Sequence, residues 1–483
     1  MADHSAHDRI QTGISGLDTI LSGGLLRGST LLIQGAPGSG KTILANQIAF
    51  TQAVQRRINV LYVTLLAESH TRLLKHLGSL QFFNQGAIGD QILYLSGYRA
   101  LRESVNALLT LLRAELVARR PSLLIVDGIA AVQELHGTAS CRQFMHEVQV
   151  STETANCTGL LISANHSSPT PEVAVVDSAL FLAERQIGAR TIRELQVCKS
   201  RGTPHLPGRH SFVINDRGMT VFPRIDAIYR TPAEGTRESG SRITFDVPTL
   251  DDMLGGGLPA GSSTLLLGAT GTGKTLFGLS FLAAGLKHGG TAVYSGFYET
   301  PDRLIASGDG VGLGLRAQVK AGRLHVDRQA PIELLIDAWA DRVLQLVRDH
   351  RPQRLFIDGL NAIQEGAVYP DRLSPFLTAL SNQLSALGVT TAIAGEMHAI
   401  LGSGVDVPLS GISPLVENTI LLRYVEHRSR LARLIAVLKV RGSGHDTLVR
   451  EFAITSAGIR FAARTPTRRN TAGTTRATRS HRH

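Results

Sequence analysis

Short apolar runs alternate with longer amphipathic stretches along most of the chain. In the first half the apolar runs cover residues 31–33, 60–63, 123–126 and 160–162, and such runs are typical of strands buried on both faces. Residues 101–120 have helical periodicity and end just before Pro121. Strands that alternate with helices predict an α/β fold, in which helices flank a mainly parallel sheet.

The same pattern occurs twice. Residues 35–42 read Gly-Ala-Pro-Gly-Ser-Gly-Lys-Thr and residues 268–275 read Gly-Ala-Thr-Gly-Thr-Gly-Lys-Thr, an offset of 233. Asp-Gly follows an apolar run at 127–128 and again at 358–359, and Lys-x-Arg-Gly-x-x-His occurs at 199–205 and 439–445. The unit is too long for a solenoid repeat, so a whole domain is duplicated. We predict domains at 1–223 and 242–463, joined by a polar linker at 224–241.

Both glycine-rich segments fit the phosphate-binding loop (P-loop) G-x-x-x-x-G-K-[ST], for which we expect about 0.01 chance matches in this chain. The loop N–H groups and the following helix dipole favour phosphate. The alternative, a glycine-rich turn without a ligand, does not explain two matches at equivalent positions. The chain has 43 Arg and only seven Lys, so Lys41 and Lys274 indicate a need for a compact ammonium at the β- and γ-phosphates. The predicted nucleotide-binding residues are Gly38, Ser39, Gly40, Lys41, Thr42 and Ile43, and Gly271, Thr272, Gly273, Lys274, Thr275 and Leu276.

Carboxylates follow the loops at matching distances. Asp127 lies 86 residues after Lys41, and Asp358 lies 84 residues after Lys274. The hydroxyls of Thr42 and Thr275 are predicted to bind Mg²⁺, and Asp127 and Asp358 are predicted as catalytic carboxylates that act on the metal from behind its direct ligands. The alternative is an Asp that caps a turn before glycine.

Two further carboxylates follow an apolar strand in each half. Glu68 and Glu299, 231 residues apart, are predicted to occupy equivalent places and to act on the attacking water. The alternative is that each only favours the first turn of the next helix.

Composition limits the class of protein. The formal net charge is +11, yet residues 1–235 carry 22 basic and 18 acidic groups and residues 236–463 carry 22 and 21. Residues 464–483 carry six Arg and no acid, so contact with nucleic acid is expected only through this tail, whose alternative is a solvated, disordered charge run. No apolar run reaches the roughly 18 residues of a membrane-spanning helix. The three cysteines are too few and too scattered for a disulfide scaffold, which favours a cytoplasmic location.

These motifs resemble the KaiC family of tandem RecA-like P-loop ATPases of the circadian clock. The resemblance runs from about Thr12 to Phe461 and rests on the duplicated unit, on Gly-Ile-Ser-Gly-Leu-Asp at 13–18 and on Lys-x-Arg-Gly-x-x-His in each half. It implies homohexameric rings with ATP, the cofactor together with Mg²⁺, between neighbouring subunits. It also implies residues that act on the neighbour's ATP, and these are Lys199, Arg201, His205, Lys439, Arg441 and His445. Arg142 and Arg372 are weaker candidates for the same role.

The chain departs from the family in ways that change the expected activity. The family carries two adjacent Glu after the second strand, whereas this chain has Ala67-Glu68 and Tyr298-Glu299. The family's phosphorylated Ser-Thr pair corresponds to Ser413-Pro414, which leaves Ser413 as the candidate phosphoacceptor. We therefore expect slow ATP hydrolysis ahead of serine/threonine autokinase activity.

The resemblance to the KaiC family also bears on the expected partners, and two alternative functions stand beside it. The arginine-rich tail replaces the segment on which a KaiA-type activator acts, so that activator is not expected, while a KaiB-like partner remains open. A RecA/RadA-type DNA-dependent ATPase is one alternative, disfavoured by the balanced charge of the two domains. A nucleotide-binding scaffold with weak turnover is the other.

Overall fold

The computed structural model describes residues 9–66, 70–164, 170–230, 240–397, 416–427 and 430–462. Within them, the strands of the first half are β1 Arg9–Ile10, β2 Leu25–Leu26, β3 Thr30–Gly35, β4 Val60–Thr64, β5 Ile92–Ser96, β6 Leu123–Asp127, β7 Thr158–Ala164, β8 Ser178–Ile187, β9 Arg190–Ser200, β10 Arg209–Asn215 and β11 Gly218–Phe222. The helices are α1 Ser15–Ile20, α2 Lys41–Arg56, α3 His70–Leu77, α4 Tyr98–Glu103, α5 Val105–Arg119, α6 Ala130–Thr154 and α7 Ile225–Ile228.

The described part of the second half repeats this series. Its strands are β12 Arg242–Ile243, β13 Leu258–Pro259, β14 Ser263–Gly268, β15 Ala292–Gly296, β16 Leu324–Arg328, β17 Arg354–Asp358, β18 Thr390–Glu396, β19 Asn418–His427, β20 Arg430–Val440, β21 Arg450–Thr455 and β22 Gly458–Phe461. Its helices are α8 Pro248–Met253, α9 Lys274–Lys287, α10 Pro301–Gly310, α11 Leu315–Lys320, α12 Ile336–His350, α13 Leu360–Gly366 and α14 Leu373–Ala386.

Two large sheets have the same topology. Among the described residues, the first sheet has the strand order β11-β10-β9-β8-β3-β7-β6-β4-β5, and the second has β22-β21-β20-β19-β14-β18-β17-β15-β16. From β8 to β5, and likewise from β19 to β16, neighbouring strands are parallel, while the outer hairpin strands pair antiparallel. The predicted α/β fold, used twice, is confirmed.

Alternating side chains of the central strands bury both faces of the first sheet. Leu31 and Ile33 of β3 pack in one apolar cluster with α2, and Leu32 packs in a second cluster with α5 and α6. Successive side chains of a strand point to opposite faces, so a run without polar residues requires helices on both sides. In the second sheet Leu266 of β14 packs with Phe277 of α9 in an equivalent cluster.

The chain forms two compact units. The first comprises Met1–Thr236, Gln329–Arg351 and Asn361–Leu387, and the second comprises Arg237–Arg328, Pro352–Leu360 and Gly388–His483. Helices α12 and α14 therefore belong to the first unit, although they come from the second half of the sequence. Within the predicted linker, residues 225–228 form α7, and Ile225 is buried and donates its N–H to Asp337 of α12 over 3.3 Å.

Candidate functional site

Each glycine-rich loop lies at the centre of its sheet, between the carboxyl end of a strand and the start of a long helix. β3 leads into the loop before α2, which begins at Lys41, and β14 leads into the loop before α9, which begins at Lys274. Gly40 and Gly273, just before the lysines, have φ of 97° and 107°. A Cβ at these glycines would lie 2.5 Å and 2.8 Å from an isoleucine methyl carbon. Both positions therefore require glycine, and each loop leads into a helix N-terminus, a place that favours an anion.

The loop lysines are held by their own loops. Nζ of Lys41 donates to the carbonyl oxygens of Gly35 and Ala36 at 2.7 Å and 2.8 Å. Nζ of Lys274 donates to those of Gly268 and Ala269 at 2.8 Å and 2.9 Å. Burial lowers the pKa of both lysines, while nearby carboxylates oppose that shift. The structure thus places an ammonium group within each loop, as phosphate binding requires.

The predicted Mg²⁺ residues meet in both sites. Oγ1 of Thr42 donates to Oδ2 of Asp127 over 3.1 Å, and Oγ1 of Thr275 donates to Oδ2 of Asp358 over 2.8 Å. Burial raises the pKa of Asp358, and the hydrogen bond from Thr275 opposes this effect. One hydroxyl and one carboxylate suit Mg²⁺, which is usually completed by substrate phosphates and water. The described residues contain no group of three or more His, Cys, Asp or Glu side chains suited to a metal.

The strand register bears on the predicted equivalence of Glu68 and Glu299. Thr64 of β4 pairs with Asp127, and Gly296 of β15 pairs with Asp358. The next described residues follow the same offset of 232, Leu65 with Phe297 and Leu66 with Tyr298, whereas Ala67 and Glu68 lie outside the described residues. The offset of 232 at these strands differs by one from the 231 residues that separate Glu68 and Glu299, and the equivalence of the two carboxylates stays a prediction.

Glu299 is close to the second site. Glu299 is exposed, and its negative charge contributes to raising the pKa of the half-buried Asp358. Its neighbour Tyr298 is also exposed, at the position that Leu66 occupies in the first half. Glu68 lies outside the described residues. A catalytic role for Glu299 and Glu68 stays a prediction.

A further carboxylate at the second P-loop was missed by sequence reasoning. Glu396 ends β18 and pairs in register with Gly268, and its carboxylate accepts a hydrogen bond from Oγ1 of Thr270. The negative charge of Glu396 also raises the pKa of Lys274, against the larger lowering effect of burial. The corresponding residue of the first half, paired with Gly35, is Ala164. The sequence offered one signal for Glu396, which is that it ends an apolar strand. Only the pairing of β18 with β14 places Glu396 beside the loop.

Both Lys-x-Arg-Gly-x-x-His segments begin with a lysine that follows a β-bulge. The register shifts by one residue at Cys198 before Lys199, and at Leu438 before Lys439. Nζ of Lys199 donates to three backbone carbonyl oxygens at 2.6–2.9 Å, and Nζ of Lys439 donates to that of Val416 at 2.8 Å. Bulges often re-aim side chains beside active sites, and this one is duplicated with the motif.

The remaining residues of these segments are more accessible. Arg201 and Arg441 are exposed, while His205 and His445 are half-buried. Arg201 lines a surface cleft of about 600 Å³ together with Arg142 and His146.

Arg372 has a different environment from Arg142. Its guanidinium bridges Asp226 and Asp337 inside the first unit, with side chains that are 13%, 6% and 1% exposed. The structure therefore contradicts its candidacy as a cross-interface arginine.

Some predicted features lie outside the described residues. They are Ser413, Glu68 and the arginine-rich tail, residues 464–483. Within the described residues, no helix is both long and apolar enough to cross a membrane.

Comparison with known proteins gives one consistent result. The KaiC ATPase family model matches residues 10–226 and 243–465. The chain is 27% identical to a circadian clock oscillator protein KaiC of Parathermosynechococcus lividus, over 93% of this chain and 85% of that protein. It is 28% identical to the protein of that name from Rippkaea orientalis, over 93% and 88%. It is 27% identical to a circadian clock protein KaiC3 of Synechocystis, over 94% and 91%.

Proposed function

Because this chain belongs to the KaiC family of ATPases, we propose that it binds Mg·ATP at both P-loops and hydrolyses it slowly, as an oligomer that acts in clock-like timing or signalling. The observation that carries the proposal is the contact between hydroxyl and carboxylate beside each loop, Thr42 with Asp127 and Thr275 with Asp358. Two sites built alike argue that nucleotide binding is retained in both halves.

Each side chain has a defined task in this proposal. The loop N–H groups and the helix N-terminus bind the β- and γ-phosphates, and Lys41 and Lys274 neutralise part of their charge. Thr42 with Asp127, and Thr275 with Asp358, would hold Mg²⁺, which would offset the negative charge that develops on the phosphates during transfer. In the second site Glu299 orients the attacking water and accepts its proton. Ala67 and Tyr298 stand where the family carries the first of its two adjacent glutamates, which supports slow turnover at both sites.

Assembly is part of the proposed mechanism. We propose a homohexamer in which Lys199, Arg201 and His205 act on the ATP of the neighbouring subunit, and Lys439, Arg441 and His445 do the same in the second half. The exposure of Arg201 and Arg441 supports this, since a residue that works in trans must be accessible in a single subunit. A cation supplied by a neighbour stabilises the transferring phosphoryl group and makes hydrolysis depend on assembly.

Phosphoryl transfer to the protein itself is a secondary activity in this proposal. Ser413 is the candidate acceptor, and Pro414 beside it has no hydroxyl to accept phosphate. Hydrolysis is therefore expected to dominate over serine/threonine autokinase activity. A KaiB-like partner and a cytoplasmic location belong to the same proposal, and nucleic acid would contact only the tail.

Phosphate release from Mg·ATP tests the proposal. We expect hydrolysis in the unaltered chain, partial loss in Lys41→Ala and in Lys274→Ala, and loss to background in the double variant. Lys320→Ala is the matched control, because Lys320 is an exposed lysine at the end of α11. Mass spectrometry of the same samples reports phosphate on Ser413. Hydrolysis that survives in the double variant would contradict both sites.

A further inference from the structure

A chain of hydrogen bonds leads away from the metal carboxylate of the first site. The phenol of Tyr62 donates to Oδ2 of Asp127 over 2.9 Å. The Tyr62 oxygen accepts from Nδ2 of Asn46 at 3.1 Å, and Oδ1 of Asn46 accepts from the phenol of Tyr94 at 2.7 Å. Every donor faces an acceptor, so the chain of bonds has one direction, from Tyr94 to Asp127. We refer to Tyr62, Asn46 and Tyr94 as the tyrosine relay.

Two members of the tyrosine relay are fully buried, Tyr94 is half-buried, and the relay is anchored to the P-loop helix. Tyr62 and Asn46 are fully buried, and Asp127 is 7% exposed. Nδ2 of Asn46 also donates to the carbonyl oxygen of Thr42, the residue whose hydroxyl contacts Asp127. Buried hydrogen bonds are costly to leave unmade, so a relay with each of these groups paired restricts the carboxylate to one orientation.

Among the residues that the structure describes, the second site has the counterpart of Tyr62 but not those of Asn46 and Tyr94. Tyr294, the register equivalent of Tyr62, donates to Asp358 over 3.3 Å. The position of Asn46, five residues after the loop lysine, is Leu279, and the strand partner of Tyr294 is Val326 rather than a tyrosine. Neither side chain can form a hydrogen bond, so Tyr294 cannot be held in the same way.

We infer that Tyr62, Asn46 and Tyr94 are positioning residues that orient Asp127 toward Mg²⁺, which makes Mg²⁺ bind more tightly with nucleotide in the first site than in the second. The inference rests on the proposed function, because it presupposes that the P-loops bind Mg·ATP. Mg²⁺ demands near-ideal octahedral geometry, and partners behind a metal ligand commonly change metal affinity by about 10- to 100-fold.

The test isolates the first site with Lys274→Ala and measures nucleotide binding instead of turnover. The affinity for a fluorescent ATP analogue is measured in EDTA and in Mg²⁺, and the ratio gives the tightening due to the metal. The variants are Tyr62→Phe, which removes one hydroxyl, Tyr94→Phe at the far end of the relay, and Asn46→Leu, which installs the residue of the second site. Bound Mn²⁺ with a non-hydrolysable ATP analogue gives a spectroscopic readout by electron paramagnetic resonance.

We expect each variant to bind the analogue in EDTA within about twofold of its parent, which also shows that the P-loop is folded. In Mg²⁺, the tightening falls about 10-fold in Tyr62→Phe and Asn46→Leu, and about two- to threefold in Tyr94→Phe. Tyr294→Phe in a Lys41→Ala background is the matched control and loses less than Tyr62→Phe. The Mn²⁺ spectrum changes in the first-site variants, because the carboxylate orientation changes.

The outcomes separate the two proposals. Absence of nucleotide binding in the parent, with or without metal, contradicts the proposed function. Normal binding in EDTA with an unchanged Mg²⁺ effect in both Tyr62→Phe and Asn46→Leu overturns the relay alone. An equal loss in Tyr62→Phe and Tyr294→Phe also overturns it, since the two sites would then be held alike.

Discussion

Arg372 and Asp337 are joined by two parallel hydrogen bonds of 3.0 Å each, from Nη1 to Oδ2 and from Nη2 to Oδ1. Nη2 of the same guanidinium donates to Asp226 over 2.6 Å. Because Asp337 lies on α12 and Asp226 on α7, the side chain of Arg372 links these two helices of the first unit. Burial raises the pKa of Asp337, and the contacts with Arg372 oppose that shift.

Replacing Arg372 with methionine should destabilise the first unit. Two buried carboxylates would lose their counter-charge, and breaking a buried ion pair in this way commonly costs about 3–5 kcal/mol. Urea denaturation followed by intrinsic fluorescence measures the loss. Arg119→Met is the control, because Arg119 pairs with Glu115 at the surface and should change stability by less than about 1 kcal/mol. Equal losses in the two variants would refute the structural role of Arg372.

His210 should make stability fall with acid. Its ring is buried, Nδ1 accepts the N–H of Arg224 at 3.0 Å and Nε2 donates to the carbonyl of Leu206 at 3.1 Å, so the neutral form is the one that fits. Burial lowers the pKa of His210 to about 4, with Arg224 and Arg372 acting in the same direction. Between about pH 4 and the unfolded pKa near 6.5, the unfolded chain binds the extra proton, so stability rises with pH in this window.

The measurement compares urea midpoints at pH 7 and pH 5. The His210 contribution should account for a loss of about 2 kcal/mol on acidification. His210→Gln should be less stable at pH 7, because the Arg224 N–H loses its acceptor, but its stability should depend less on pH. An equally steep pH dependence in His210→Gln would show that another group is responsible.

Glu396→Gln should tighten ATP binding at the second site. The carboxylate of Glu396 accepts a hydrogen bond from Thr270 of the loop and lies near Lys274. From there its negative charge repels the phosphates of a bound nucleotide. We expect about a three- to tenfold gain in affinity, larger at low ionic strength. Binding of a fluorescent ATP analogue in a Lys41→Ala background measures it.

Ala164→Glu is the mirror variant of the first site. It should weaken binding there by a similar factor, in a Lys274→Ala background. If the gain in ATP affinity of Glu396→Gln did not depend on salt concentration, a cause other than charge would be indicated.

Glu299→Gln should slow hydrolysis at the second site without preventing binding. If Glu299 orients the attacking water, its loss costs about 100-fold or more in turnover. Phosphate release in a Lys41→Ala background measures turnover, and analogue binding is measured in parallel. Asp302→Asn is the control, because Asp302 is an exposed acid three residues further on, in the first turn of α10. Unchanged turnover would remove Glu299 from the mechanism.

Lys199→Met should lower activity only in the assembled protein. If Lys199 acts on a neighbour's ATP, turnover per subunit rises with protein concentration in the unaltered chain, and this rise is reduced in the variant. Phosphate release is measured over a series of protein concentrations, and light scattering of the same samples measures the size of the assembly. Together they distinguish a loss of activity within the assembly from a loss of assembly. Turnover per subunit that is independent of concentration would place the whole reaction within one subunit.

The local part of each site could be read from sequence. A P-loop is a short continuous segment whose glycines, lysine and hydroxyl act at fixed spacing, and Asp127 and Asp358 end apolar strands that are recognisable on their own. The register of β4 with β6, and of β15 with β17, is not local. The pairing of β18 with β14 is not local either, and for this reason Glu396 was overlooked.

The sequence by itself determined the duplicated α/β fold, the two P-loops and their acidic partners, because these depend on hydrophobic periodicity and on residues at fixed short spacing. Tertiary structure alone decided that Tyr94 reaches Asn46, that Arg372 neutralises Asp226 and Asp337, and that Glu396 lies beside a P-loop. These contacts join residues between 35 and 146 positions apart. Their formation depends on strand order and helix packing, and no local pattern encodes which distant polar groups will be buried together.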